Sequence, residues 1–240
     1  MPTDQTRLPL SNRIDKVAPS ATLAVDMKAK AMKAQGIDII GFGVGEPNFA
    51  TPEAIVEAAA AAVVNPANYK YSPTPGLPEL RQAIASKTLR DSGYEVEPEQ
   101  VVVTNGGKQA VYEAFQLIVN DGDEVIIPSP YWTSYPEMVK LAGGKPVEVF
   151  AGADVNYEPN LDDIEAARTD RTKAIIVTSP NNPTGAVWSE RTIRDIAEWA
   201  LDHNIWVISD EIYEHLTYDG VKTTHIGAAV PQIREDRDDR

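Results

Sequence analysis

The sequence predicts an α/β fold, a three-layer sandwich in which helices cover both faces of a mostly parallel central sheet. From residue 100 onward, short apolar runs rich in Val and Ile alternate with stretches of helical composition. The apolar runs lack the in/out alternation of a half-exposed strand, which is typical of strands that are buried on both faces. A long amphipathic pattern between two of these runs predicts a helix that covers the sheet.

The N-terminal part of the chain contains three predicted helices, at residues 23–35, 53–64 and 77–89. Ser20 and Thr22 offer capping side chains at the start of the first helix, and Gly36 suits the left-handed position after it. Residues 41–47 are rich in Gly and other turn-forming residues. We therefore expect a domain boundary near residues 45 to 50.

Five strands and a further helix are predicted in the rest of the chain. The strands cover residues 101–104, 124–127, 146–150, 174–178 and 205–209. The helix follows Ser189, and its apolar residues recur with helical spacing at positions 193, 196, 197, 200 and 201. Short strands joined by helices are typical of a parallel sheet, because parallel neighbours need a long crossover connection.

Composition argues against several classes of function. The 240 residues carry a net charge of -14, which disfavours nucleic acid and anionic membranes as partners. No apolar stretch reaches the length of about 18 residues that a membrane span requires. His203, His215 and His225 show no metal-ligand spacing, so we expect no metal site. The lack of cysteine and of a secretory signal pattern fits a cytoplasmic enzyme.

Polar residues follow four of the predicted strands. Asn-Gly-Gly-Lys occupies residues 105–108, Ser-Pro-Tyr-Trp residues 129–132, Ser-Pro-Asn-Asn residues 179–182 and Asp-Glu-Ile-Tyr residues 210–213. In open α/β sheets, ligands bind at the carboxyl ends of the strands. The four segments therefore predict one binding site at that edge of the sheet.

Gly106 and Gly107 lie between a predicted strand and a helix. Two glycines let the backbone approach an anion closely, and the helix N-terminus supplies free N–H groups. An ordinary tight turn is the alternative for this pair taken alone. The segment matches neither G-x-G-x-x-G nor the P-loop pattern, which disfavours dinucleotides and nucleoside triphosphates as ligands.

Four other side chains suit a flat heteroaromatic ligand. Asp210 ends a buried strand and needs a partner, and a protonated ring nitrogen is one candidate, with a helix N-cap as the alternative. Tyr213 and Asn182 could each donate a hydrogen bond to a phenolate oxygen, although an Asn before Pro is often only a turn residue. Trp132 offers a flat face for stacking, and a core position is its alternative.

Taken together, these segments resemble the class I (fold-type I) aminotransferases that use pyridoxal 5'-phosphate (PLP), in particular the prokaryotic aspartate aminotransferase subgroup. The resemblance runs from about residue 10 to about residue 231, and its blocks lie at residues 45–47, 71–81, 104–109, 129–132, 179–185 and 209–220. It implies that residues 46–240 form the N-terminal portion of the PLP-binding large domain, which is incomplete here. Residues 1–45 would form an N-terminal arm and a segment of the small domain.

The resemblance implies a role for each candidate residue. The cofactor phosphate would contact the backbone amides of Gly106, Gly107 and Lys108, and Tyr71 would reach the phosphate held by the partner subunit of a homodimer. Trp132 would stack on the cofactor ring, and Asp210 would pair with the ring nitrogen. Asn182 and Tyr213 would bind the phenolate oxygen. Gly45, Trp132 and Asn182 would border the substrate α-carboxylate. Lys108 would contact the distal carboxylate of aspartate or glutamate, which a cation suits; a solvated first-turn lysine is the alternative.

The resemblance also implies a lysine that the sequence does not contain. The Schiff-base lysine of the family is expected roughly 30 residues after Tyr213. Lys222 is the only lysine beyond Tyr213 and comes too early, so no catalytic residue is assigned. We therefore expect a chain that is truncated and inactive, and that is poorly soluble or partly molten in isolation.

Three hypotheses for function are compatible with these residues. The leading one is a PLP-dependent transaminase that converts aspartate and 2-oxoglutarate to oxaloacetate and glutamate. The second is a non-catalytic PLP-binding fragment, or a subunit that a second chain must complete. The third is another class I aminotransferase, acting on alanine or aromatic amino acids, or a carbon–sulfur lyase of the same fold.

Overall fold

The computed structural model describes residues 10–43, 45 and 49–235. The strands within them are β1 (Glu124–Ser129), β2 (Lys145–Phe150), β3 (Thr172–Thr178) and β4 (Trp206–Asp210). The helices are α1 (Ala21–Ala34), α2 (Glu53–Val63), α3 (Pro78–Ser92), α4 (Gly107–Ile118), α5 (Ser134–Leu141), α6 (Leu161–Ala167), α7 (Glu190–Asp202), α8 (Ile226–Ala229) and α9 (Gln232–Glu235). The predicted boundary near residue 45 falls where residues 44 and 46–48 lie outside the described part.

The four strands form one sheet in the order β2-β1-β3-β4, and every pairing is parallel. Glu124 of β1 pairs with Lys145 of β2, and Ala174 of β3 pairs with Trp206 of β4. A helix lies between each pair of consecutive strands, as parallel pairing requires. The predicted parallel sheet is confirmed, and its carboxyl ends all lie at one edge.

Helices cover the sheet on both faces, so the predicted three layers are confirmed. One face packs on α4 and α5 through Val125, Ile127, Ala174 and Ile176. The opposite face packs on α6, α7 and α8 through Ile126, Val149, Ile175 and Val177. Successive residues of β1 and β3 thus point into different cores, and both sets are apolar because neither face meets water.

Helix α7 shows how the sequence specifies one of these covering helices. Ser189 is its N-cap, and the Ser189 hydroxyl accepts a hydrogen bond from the Thr192 N–H at 3.2 Å. Ile193, Ile196 and Ala200 recur on one side of the helix and are buried against the sheet. The predicted helix after Ser189 is confirmed.

One predicted strand, residues 101–104, is wrong. The segment contains no residue of a strand, and its Val102 side chain is 63% exposed. It lies against the loop before α3, where the Val103 N–H donates to the Pro75 carbonyl at 2.9 Å. Among the described residues no strand runs beside it, and a β-strand exists only through pairing with a neighbour. Its Val-rich composition alone therefore misled the prediction.

The N-terminal helices are confirmed in position but are poorly buried. Helix α2 has no buried residue, although its sequence is mostly Ala, Val and Ile. Val63 and Val64 at its end, and Tyr69 and Tyr71 beyond it, are also exposed. Apolar and aromatic side chains are thus exposed at several positions in and after α2. None of the helices in the described part is both long and apolar enough to cross a membrane.

Candidate functional site

A cavity of about 760 Å³ opens at the carboxyl edge of the sheet. Its walls come from the N-terminus of α4, from the loops after β1, β3 and β4, and from the segment after α1. Seven of the predicted site positions share this wall: Gly45, Gly107, Lys108, Trp132, Asn182, Asp210 and Tyr213. Residues far apart in sequence meet here because the parallel strands align their ends.

Asp210 is the last residue of β4, and both of its carboxylate oxygens accept hydrogen bonds. Tyr135 OH lies 2.8 Å from Asp210 Oδ2, and the Ile212 N–H donates to Oδ1 at 3.2 Å. The carboxylate also lines the cavity. Asp210 is thus a fixed anion facing a space of ligand size, which a bound cation or protonated ring nitrogen would complement.

Tyr135, which supports Asp210, lines the cavity and is otherwise buried in the core. Its hydroxyl lies 3.0 Å from Thr178 Oγ1 at the end of β3. Burial, and then the negative charge of Asp210, raise the pKa of the Tyr135 phenol far above its ordinary value. The phenol therefore stays protonated at any physiological pH and remains a hydrogen-bond donor.

Trp132 presents its indole ring in the cavity wall. The ring meets Tyr135 edge-on, with centroids 5.4 Å apart and planes at 88°. Lys108 Nζ lies 4.8 Å from the centroid of the Trp132 ring, within the range of a cation–π contact. The cationic group of Lys108 is thus held at the cavity wall, although the residue as a whole is exposed.

The loop after β3 brings Asn182 to Tyr213. Asn182 Nδ2 donates to Tyr213 OH at 3.4 Å, a long contact that leaves both groups available to a ligand atom. The neighbouring Asn181 is buried and fixes the loop. Its Nδ2 donates to the Pro130 carbonyl at 3.1 Å, and its Oδ1 accepts from Thr184 Oγ1 at 2.9 Å. Asn181 thereby joins the loops after β1 and β3.

The N-terminus of α4 forms an open backbone surface at the cavity. Gly106 is the N-cap with φ of 82°, a left-handed value that favours glycine, and its N–H donates to the Thr104 carbonyl at 2.9 Å. Gly107 and Lys108 lie in the first turn, where an α-helix leaves N–H groups without an intrahelical acceptor. A Cβ added at Gly106 would meet no atom within 4 Å. The space in front of these N–H groups can therefore admit an anion.

Two predicted residues lie outside the cavity wall, and two residues that were not predicted support it. Gly106 is adjacent to the wall, and Tyr71 is fully exposed and outside it. Sequence reasoning missed Tyr135 and Asn181. Tyr135 lies three residues after Trp132, and a tyrosine in a short helix is more often core, so its role became visible only through its contact with Asp210.

Comparison with known proteins identifies a family and specific relatives. The family described as "Aminotransferase class I and II" matches residues 37–237 of the chain. An aspartate aminotransferase of Streptomyces avermitilis is 53% identical over 233 residues, which cover 97% of this chain and 57% of that protein. A probable aspartate aminotransferase of Streptomyces griseus is 57% identical over 203 residues, which cover 85% of this chain and 95% of that protein.

A solved structure has the same fold. The aspartate aminotransferase of Thermus thermophilus with maleate matches with a TM-score of 0.87 and 46% sequence identity. The match covers 94% of this chain and 58% of the Thermus chain. The chain therefore spans a little over half the length of the Streptomyces avermitilis and Thermus proteins.

Proposed function

Because the chain belongs to the class I and II aminotransferase family, we propose that its cavity binds PLP and serves the transfer of an amino group from aspartate to 2-oxoglutarate. The products are oxaloacetate and glutamate. The observation that carries the proposal is that one cavity wall combines an anion, an aromatic face and an open helix N-terminus. These match the ring nitrogen, the ring and the phosphate of PLP.

The residues at the wall fit the cofactor group by group. Asp210 would pair with the ring nitrogen, Trp132 would stack on the ring, and the first-turn N–H groups of Gly107 and Lys108 would hold the phosphate beside Gly106. Asn182 and Tyr213 would donate to the phenolate oxygen. When bound, PLP withdraws electrons from the Cα of the amino acid, provided that its ring nitrogen stays protonated, which the Asp210 carboxylate favours.

Lys108 supports a dicarboxylic substrate. Its ammonium group lies at the cavity wall, where a distal carboxylate of aspartate or glutamate would meet a positive charge. The related Thermus enzyme has been solved with maleate, a dicarboxylate. Gly45, Trp132 and Asn182 would border the α-carboxylate. A class I enzyme acting on alanine or aromatic amino acids, or a carbon–sulfur lyase, would not need the charge of Lys108.

The chain by itself lacks one group that the reaction needs. Lys222 is the only lysine after Tyr213, and it lies in a loop outside the cavity wall. No lysine of this part of the sequence is thus positioned to move the proton at the substrate Cα. Loss of general-base catalysis alone costs about 10²–10⁴-fold in rate. We therefore expect no transamination by this chain alone, so a PLP-binding subunit completed by a second chain is the alternative function.

A homodimer is the assembly that the exposed surface supports. Helix α2 and the residues after it expose Val63, Val64, Tyr69 and Tyr71 to solvent, and a surface of this kind is typical of an interface. In such a dimer Tyr71 would reach the phosphate in the partner's cavity. A cytoplasmic location stays a prediction from the sequence.

The proposal is tested by titrating the purified chain with PLP and following its absorbance and fluorescence. The Asp210→Ala variant should bind PLP about 10- to 100-fold more weakly, because a hydrogen bond to a charged group is lost. Asp163→Ala is the matched control, since Asp163 is an exposed carboxylate on α6 outside the cavity wall. Equal affinities of wild type and Asp210→Ala would contradict the proposed cofactor site.

A further inference from the structure

We propose that Tyr135 is a positioning residue for the cofactor, and that the hydrogen-bonded chain from Thr178 through Tyr135 sets the orientation in which Asp210 meets the ring nitrogen of PLP. The inference rests on the proposed function, because it assigns a partner to the residue that would hold that nitrogen. It adds a buried residue of the cavity wall, which would act through Asp210.

The direction of the hydrogen bonds follows from the number of protons available. An ionised carboxylate can only accept, so Tyr135 must donate its single hydroxyl proton to Asp210 Oδ2 over the 2.8 Å contact. Tyr135 OH is then an acceptor toward Thr178 Oγ1 at 3.0 Å. The Thr178 hydroxyl therefore donates, and the three side chains form one directed chain that ends on Asp210.

Burial makes this series of hydrogen bonds rigid. Tyr135 is 1% exposed and Thr178 is 5% exposed, so water cannot compete for either hydroxyl. The Tyr135 ring lies in the core between α4, α5 and the sheet, where side chains rarely change rotamer. The carboxylate of Asp210 is consequently held on one side by a group that cannot move away.

The position of Tyr135 in the chain links two parts of the site. Tyr135 follows Trp132 by three residues, in the first turn of α5, and the two rings are in edge contact. The residue proposed to stack on the cofactor and the residue that orients Asp210 thus belong to one short segment. This segment therefore fixes the stacking face relative to the hydroxyl group that holds the Asp210 carboxylate.

The test compares PLP with its 1-deaza analogue, in which the ring nitrogen is replaced by C–H. Wild type should bind PLP more tightly than the analogue, because only PLP offers a ring N–H to Asp210. Tyr135→Phe should lower PLP affinity about 10-fold and leave the affinity for the analogue unchanged. Tyr157→Phe is the control, since Tyr157 is a half-buried tyrosine outside the cavity wall. Thr178→Val removes the hydrogen bond that is farther from Asp210. It should therefore reduce the preference for PLP over the analogue by less than Tyr135→Phe does.

The outcomes separate this inference from the proposed function. Wild type that does not distinguish the two ligands would overturn the role of Asp210, and the inference with it. A preference that survives intact in Tyr135→Phe and Thr178→Val would overturn the inference alone. Equal weakening of both ligands in Tyr135→Phe would also overturn it, because a purely structural role predicts that result.

The link between the two side chains is measured separately by a double-mutant cycle on the ligand-free chain. Tyr135→Phe and Asp210→Ala should each lower the midpoint of unfolding in urea. The midpoint of the double variant should fall by less than the sum of the two single decreases. Additive losses would show that the two groups do not interact, which would contradict the inference without reference to any ligand.

Discussion

At the scale of single residues, Glu211 and His225 form a half-buried contact beside the cavity-lining residues Asp210 and Ile212. His225 Nε2 lies 3.2 Å from Glu211 Oε2, and His225 Nδ1 accepts from the Gly227 N–H at 3.1 Å, so the neutral ring carries its proton on Nε2. Burial raises the pKa of Glu211 to about 7. Burial and then the charge of Lys87 lower the pKa of His225 to about 4.

These two shifts predict opposite dependences of stability on pH. The stabilising effect of Glu211 is present below the ordinary glutamate pKa of 4.5 and is lost as the pH rises to about 7. The stabilising effect of His225 is present above the ordinary histidine pKa of 6.5 and is lost as the pH falls to about 4. Between these limits the two effects offset each other in the wild type.

Single variants should expose each effect. Relative to wild type, Glu211→Gln should gain unfolding free energy as the pH rises from 5 to 7, and His225→Gln should lose it, each by at most about 1.4 kcal/mol per pH unit. Urea denaturation at several pH values measures the difference, and each variant serves as the control for the other. Variant curves parallel to wild type would mean that neither group changes protonation on folding.

Positions at the cavity were predictable from sequence for residues at or just beyond a strand end. Asp210 and Asn182 come soon after apolar runs, so their meeting at one edge follows from parallel pairing. Tyr135 and Asn181 act through partners 75 and 51 residues away, and no local pattern reports such contacts. The roles toward PLP and substrate stay predictions until a ligand is measured.

At the scale of elements, the start of β1 contains a buried carboxylate. Glu124 is 2% exposed and accepts hydrogen bonds from Thr169 Oγ1 at 2.7 Å and Lys145 Nζ at 2.9 Å, with Arg171 at 3.2 Å. These contacts, that of Thr169 first, lower the pKa of Glu124. They connect β1 to β2 and to the residues that precede β3, so they fix the register of the sheet at its amino edge.

Glu124→Ala should therefore lower the free energy of unfolding by about 1–3 kcal/mol at pH 7, since three charge-assisted or neutral hydrogen bonds are lost. The effect should shrink as the pH falls below the ordinary glutamate pKa of 4.5, because the stability from a carboxyl group with a lowered pKa is lost on protonation. Urea denaturation at pH 7 and at acidic pH measures both effects. Lys145→Met, which leaves the other two partners, should cost less. An equal or larger loss in Lys145→Met would contradict this assignment.

Elements were predictable where local pattern and tertiary packing agree. Helix α7 and strands β1 to β4 have a single interpretation from period, cap and composition, and the structure confirms them. Residues 101–104 have strand composition but no neighbouring strand among the described residues, so composition without a partner gave the wrong element.

At the scale of the whole molecule, the protein combines a well-packed half with an exposed one. Two apolar cores hold the sheet and helices α4 to α7 together. Helix α2 contributes no buried residue, and β4 has a pairing partner on only one side in the part of the chain described. An open strand edge and exposed apolar side chains favour self-association. The domain division near residue 45 stays a prediction.

The isolated chain should therefore be heterogeneous in solution. We expect a broad size distribution and binding of a hydrophobic dye, because apolar side chains and a strand edge are exposed. Size-exclusion chromatography with light scattering and dye fluorescence measure these properties, and addition of PLP should raise the midpoint of unfolding because ligand binding stabilises the folded form. A monodisperse dimer that binds no dye in the absence of PLP would contradict this expectation.

We propose that this chain holds PLP in its cavity without a covalent bond between the cofactor and a lysine of the chain. Borohydride reduction of the PLP-saturated chain, followed by intact mass and peptide mapping, tests this proposal. We expect PLP binding that is lost on reduction and dialysis, with no stoichiometric pyridoxyl-lysine. A single complete adduct on one lysine, such as Lys108 or Lys222, would contradict the proposal and make this chain a candidate enzyme by itself.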